Sequence, residues 1–268
     1  MICKFCGKDR KLIKAHTIPE GFFRRFRSSS NSLRLITNRV GEHDKKAPVG
    51  VYDEAIVCGE CEALWRTWDQ YAQILLADKP PDSEDRYHDG RVLAHVVKKF
   101  DYDKLKLFFI SMLWRASAST QPFFSKIVLG PFEQSAKQLI SSADPGGQED
   151  FAVILAKFDT SLAKTMVLDP DRFELWGVKC FRFYIAGYVV YIKVDEKPCP
   201  VPWSIISLSR DRPLVIMCKD FRKSKELRSA TNMLPPSYKT LQADLEAYAK
   251  GWGMPNLLPP LPPRTPPG

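Results

Sequence analysis

A chain of 268 residues with 44% hydrophobic and 26% charged residues holds enough apolar material for one large core or two smaller ones, which excludes a disordered or fibrous protein. The net charge of +9 is concentrated: residues 1–50 carry twelve Lys and Arg against four Asp and Glu, which is +8 of the total. No apolar run reaches bilayer-spanning length, residues 107–114 being the nearest, and the first residues lack the apolar stretch of a secretory signal. Seven cysteines with no regular framework suit reduced thiols, so a cytoplasmic protein without a membrane partner is expected.

Taken along the chain, the first feature is Cys3 and Cys6, a Cys-x-x-Cys knuckle that is matched by Cys58 and Cys61. Two such pairs supply the closed tetrahedral Cys₄ shell of structural zinc. The 51 residues between the pairs make the metal a clamp on the ends of a folded insert. Within that insert a short strand over 11–14 leads to Ala15, His16, Thr17, Ile18 and Pro19. A helix is expected from 19 to 26, because Pro is tolerated in a first turn and Glu20 favours that end. Residues 28–32 read as a Ser-rich loop, and 33–36 and 50–52 as short strands that pair with each other. After the second knuckle, Leu64, Trp65, Trp68, Tyr71, Ala72 and Leu75 recur at helical spacing and form one apolar stripe. Trp65 and Trp68 are expected in the core, although aromatics beside basic residues also stack on bases in single-strand binders. Residues 1–78 are thus read as a zinc domain.

Residues 79–90, rich in Pro and charge at their start, read as a linker. From 91 to 252 the pattern is α+β with a mainly antiparallel sheet. Helices are expected over 103–118 and 131–141, and strands over 151–157, 165–168, 179–185 and 188–194. Ala186 and Gly187 form the hairpin turn between the last two. Residues 203–208 and 213–218 extend the sheet, and 224–233 and 238–250 close the region as helices. Residues 253–268 are a Pro-rich flexible tail, whose Pro259, Pro262 and Arg264 match a pattern taken by polyproline-recognising modules.

The order Cys-x-x-Cys, His-x-Ile-Pro, apolar strand, Cys-x-x-Cys and helix resembles the zinc-containing HNH endonucleases, small ββα-metal nucleases often built on a treble clef. The resemblance covers residues 3–75. It implies metal-assisted phosphodiester hydrolysis, in which a His at the end of the first strand activates water and a divalent cation stabilises the scissile phosphate. On that resemblance His16 takes the general-base position, Asp53 the central position and Glu62 the position after the last Cys. Asp53, Glu62 and Asp69 are the oxygen ligands offered to a catalytic Mg²⁺ or Mn²⁺. Where typical members have a metal ligand before the His, this chain has Ala15. The alternative that this departure raises is a clef that has lost catalysis and binds nucleic acid or a protein.

The basic excess adjoins this site. Lys14, Arg24, Arg25 and Arg27 are the candidate contacts to nucleic acid, DNA ahead of RNA, and a protein partner is expected to use residues 91–252 or the tail. The resemblance also suggests a setting in bacterial defence or mobile elements. His43 lies in a charged loop within reach of the site, whereas His88 and His95 show no ligand spacing and Cys180 reads as a small core residue.

Overall fold

The computed structural model describes residues 1–24, 34–36, 45–46, 51–76, 82–159 and 166–220. The loop expected at 28–32, Arg25, Arg27, Arg39, His43, the two closing helices and the Pro-rich tail lie outside the described residues.

The N-terminal part holds six short elements and one longer helix: β1 (Ala15–His16), α1 (Gly21–Arg24), β2 (Arg34–Ile36), β3 (Lys45–Lys46), β4 (Tyr52–Asp53), α2 (Gly59–Leu64) and α3 (Arg66–Leu75). Here β1 and β4 form an antiparallel ribbon with Ala15 opposite Asp53 and His16 opposite Tyr52. This corrects the expected pairing of 33–36 with 50–52. Instead β2 pairs with β3 and runs parallel to β8 (Met166–Leu168), a strand more than a hundred residues away. The expected single helix after the second knuckle is two, broken at Trp65, whose wholly buried ring anchors the corner.

The next strands are β5 (Ser83–His88) and β6 (Arg91–Val97), a hairpin whose first strand lies in the stretch read as linker. The charged sequence that suggested a linker belongs to an edge strand. Glu84, Asp85 and Arg86 occupy the outermost strand, and such charges guard an open edge against pairing with other chains. Helix α4 (Tyr102–Ala118) follows, begun by Asp101, whose carboxylate accepts from the Lys104 N–H at 3.0 Å. Then come α5 (Glu133–Ser142), β7 (Val153–Phe158), β8, β9 (Asp171–Leu175), β10 (Val178–Ile185), β11 (Tyr188–Lys193), α6 (Val201–Ile206) and β12 (Leu214–Lys219).

Seven strands make one sheet in the order β5-β6-β12-β7-β11-β10-β9, antiparallel except where β12 runs beside β7. The fold is therefore α+β. Strands β10 and β11 meet at a two-residue turn in which Ala186 and Gly187 both have positive φ, the twist-matched geometry that favours Gly. The central strands β7 and β11 are buried at every position, so their sequences are nearly continuous apolar runs. One face packs on α4. The other packs on Trp203, whose Nε1 donates to the Leu175 carbonyl at 2.9 Å. Residues 203–208, expected as a strand, lie mostly in α6 because Pro200 and Pro202 preset the dihedrals of a first helical turn.

Helix α4 is buried on nearly all sides, including Lys106, Ser111 and Arg115, because the sheet covers one face and the N-terminal elements another. A single apolar cluster runs from Cys3, Trp65 and Trp68 through Phe108 and Trp114 to Val190 and Ile216. Phe5 makes the join, edge-on to Trp65 (5.7 Å) and to Trp114 (5.0 Å). Among the described residues no helix is long and apolar enough to cross a membrane.

Candidate metal centre and adjoining cleft

Both cysteine pairs sit on tight backbone turns. In the first, the Cys3 N–H donates to the Lys8 carbonyl at 3.0 Å and the Gly7 N–H to the Cys3 carbonyl at 2.9 Å. Gly7 takes φ 71°, which closes the turn without a Cβ clash. In the second, Cys58 is the extended residue before α2, and the Leu12–Cys58 bridge brings it beside the first knuckle.

The four thiols converge. Sγ atoms of Cys3, Cys6, Cys58 and Cys61 all lie within 4.8 Å of one another, and Cys3 and Cys61 are 3.7 Å apart. A tetrahedral site with Zn–S of about 2.3 Å spaces its sulfurs about 3.8 Å apart, so the donor set fits zinc. The Cys3 thiol is lowered to about 6: burial opposes this, but N–H groups of Cys6, Cys58 and Phe5 aimed at the sulfur outweigh it. That favours the thiolate, the form that a metal takes. Burial, with hydrogen bonds from Cys61 to the thiols of Cys58, Cys6 and Cys3, pushes Cys61 the other way.

Beside this centre lies a cleft of about 430 Å³ lined by His16, Pro19, Glu20, Gly21, Glu62, Arg66, Asp69, Gln70 and Gln73. Of the residues picked out from sequence, it brings together His16 from β1, Glu62 from α2 and Asp69 from α3. Glu62 accepts from Trp65 Nε1 at 2.9 Å, and burial raises its carboxyl, opposed by Arg115 and reinforced by Asp69. Asp69 is raised by burial too, against the pull of Arg115. Both its oxygens are held by the Arg115 guanidinium, at 2.8 and 2.9 Å, and the same guanidinium donates to the His16 carbonyl at 2.8 Å.

Asp53 is not part of the cleft. Its register opposite Ala15 puts it on the other face of the β1–β4 ribbon from His16, since neighbouring residues on a strand point to opposite sides. There its carboxylate accepts from the Ala55 N–H (2.8 Å), Ser119 Oγ (2.9 Å), Thr120 N–H (2.6 Å) and Thr120 Oγ1 (2.8 Å). These bonds occupy both oxygens of Asp53 and tie the ribbon to the end of α4. Among the described residues the cysteine quartet is also the one group of three or more His, Cys, Asp or Glu whose ligand atoms converge; His16, Glu62 and Asp69 do not make a second. Ala15 is wholly buried and offers no ligand.

Lys14 is exposed and places its Nζ 3.5 Å over the Tyr52 ring, which itself lies edge-on to His16 at 6.1 Å. Arg24 belongs to α1, but its side chain, like Arg25 and Arg27, lies outside the described residues. Trp65 and Trp68 are core residues as expected, and Cys180 is a buried strand residue whose thiol burial pushes up to about 12. His95 pairs with Asp85 across the β5–β6 hairpin at 2.8 Å, and His88 is exposed near Asp89; both are remote from the cleft in sequence and in element. Sequence reasoning missed Arg115. A signal for it existed: an arginine three residues beyond Met112 continues the apolar face of α4, and a charge there needs a buried partner.

Comparison with protein families, with curated proteins and with solved structures found no match to this chain.

Proposed function

We propose that the chain is a nuclease of the HNH-like kind, a zinc-clamped treble clef that hydrolyses phosphodiester bonds of nucleic acid, DNA ahead of RNA, in the cleft beside the metal centre. What supports the reading is the cleft itself: His16, Glu62 and Asp69, from three separate elements, line one cavity next to the thiol quartet. His16 is the general base that takes a proton from the attacking water. Lys14 and the arginines 24, 25 and 27 hold the phosphate backbone.

A hard cation such as Mg²⁺ or Mn²⁺ is commonly bound by only one or two carboxylates plus substrate phosphates, and Glu62 is the carboxylate on the cleft wall that would hold it. Such an ion would supply stabilisation of the charge on the scissile phosphate. Asp69 stays with Arg115 and serves to orient rather than to ligate. Seven cysteines, none in a disulfide, accord with a reducing cytoplasm.

The four hydrogen bonds that occupy Asp53, together with Ala15 in the ligand position, favour a second reading, in which the clef binds nucleic acid or a protein without cleaving it. One assay separates the two. Purified protein and His16→Ala are incubated with plasmid, single-stranded DNA and RNA in Mg²⁺ or Mn²⁺. Cleavage that vanishes in the variant is the expected result. Equal binding by both proteins with no cleavage under either metal establishes the binding module instead.

A further inference from the structure

We propose that Arg115 is a positioning residue for this cleft, holding the His16 end of β1 and the Asp69 carboxylate in fixed relation, so that α4 completes a site the zinc unit cannot finish alone. The inference deepens the nuclease reading and rests on it for its kinetic consequence.

The guanidinium is saturated. Nη1 donates to the His16 carbonyl and to Asp69 Oδ2, Nη2 to Asp69 Oδ1 and Ser111 Oγ, and Nε to the Ser111 carbonyl. All five N–H groups of the fork have an acceptor, and the group lies 5.3 Å from the Trp65 ring centre with its side chain fully buried. A planar fork fixed at five points defines both position and direction for whatever it holds.

Helix packing alone does not call for this arrangement. Apolar residues of similar volume hold two helices together as well as a buried ion pair does, and often better. The bond that an apolar pair cannot make is the one to the His16 main chain, 99 residues away in sequence, at the end of a two-residue strand. Such a short strand has little to fix its terminus. Arg115 supplies a rigid post there, on the side of the ribbon end that adjoins Asp69.

The test compares wild type with Arg115→Gln, Arg115→Lys and Asp69→Asn in the full chain. Zinc content and a melting curve report folding. Imidazole NMR signals report the setting of His16, assigned by their loss in His16→Ala, with His88 and His95 as internal references. Turnover on an oligonucleotide gives kcat and KM separately.

The expected result is an Arg115→Gln protein with full zinc, shifted His16 signals, unmoved His88 and His95 signals, and kcat lowered about ten- to hundredfold at unchanged KM, the scale of a catalytic group misplaced by about an ångström. Arg115→Lys, with one donor centre instead of a fork, restores only part. Folded Arg115→Gln with unmoved His16 signals and full kcat overturns the proposal. Should that variant fail to fold, the same readouts on Asp69→Asn and Arg115→Lys decide it. Should wild type cleave nothing, the nuclease reading falls, and the His16 signals still decide whether Arg115 positions that residue.

Discussion

Asp53 lies directly across the ribbon from Ala15 and fastens the cysteine-bearing N-terminal unit to the end of α4 through Ser119 and Thr120. Two donors on Thr120, one on Ser119 and one on Ala55 depend on a carboxylate that is almost wholly buried. Asp53→Ala leaves them unsatisfied and is expected to cost about 2–4 kcal/mol, read as a lower midpoint in urea unfolding. His16→Ala, by contrast, should abolish cleavage with little change in that midpoint.

The same residue carries a pH signature. Burial works to raise the Asp53 carboxyl, but the bonds from Ala55, Thr120 and Ser119 outweigh it and leave it below its ordinary value. A carboxyl that is lower in the folded state than in the unfolded one contributes stability that is complete above the unfolded value, about 3.9, and is lost as pH falls through the folded value. Acid unfolding followed by circular dichroism should therefore steepen below about pH 4 in wild type. Asp53→Asn should show a lower plateau and a shallower fall over that range.

Lys106 gives the opposite end of the pH scale. It is fully buried, its ammonium bonded to Tyr102 Oη at 3.0 Å and to the Gly147 carbonyl, and burial lowers it to about 8 against the partial support of Asp150. Between about pH 8 and the unfolded value near 10.4, the unfolded chain holds a proton that the folded chain has released, so stability rises with pH across that window. Urea midpoints at pH 7 and pH 9.5 should differ in favour of the higher pH, and Lys106→Met should flatten the difference.

Removal of zinc should be felt beyond the knuckles. Closed Cys₄ sites contribute folding free energy directly, and here Phe5 carries the first knuckle into the Trp65–Trp114 cluster. Cys58→Ser is expected to lose the metal and to lower the melting of the whole described fold, not a separate early transition of residues 1–78. Metal analysis together with near-ultraviolet circular dichroism of the buried tryptophans checks both parts.

Trp176 stands at φ 52° in the turn before Gly177, half exposed, where Asn or Gly is the favoured residue. Trp176→Asn should raise stability by about 1 kcal/mol, measured as an increase in melting temperature.

The legible parts of this chain were those with local signals. The thiol spacing announced the cysteine cluster, and two apolar strands with Ala186 and Gly187 between them announced the β10–β11 hairpin. Strand β5 was hidden because an edge strand faces water and its charges imitate a linker. The setting of Asp53 was hidden for a different reason: spacing along the chain does not give the register of a ribbon, and one residue of register decides which face a carboxylate takes. Arg115 joins the cleft across 46 and 99 residues, a distance no local pattern spans.

The place of β12 in the sheet bears on how the protein is made. It is the last described strand in the chain, yet it lies between β6 and β7 and joins the hairpin to the other four strands. At synthesis rates of about 5–20 residues per second, the interval from Lys193, where the four-strand part is complete, to Leu214 lasts roughly 1–4 s. For that time the edges of β6 and β7 that β12 will pair with are both without their partner strand. A ribosome that stalls before residue 214 releases a species primed to capture a strand from its neighbour, and expression at high density should be limited by that species first.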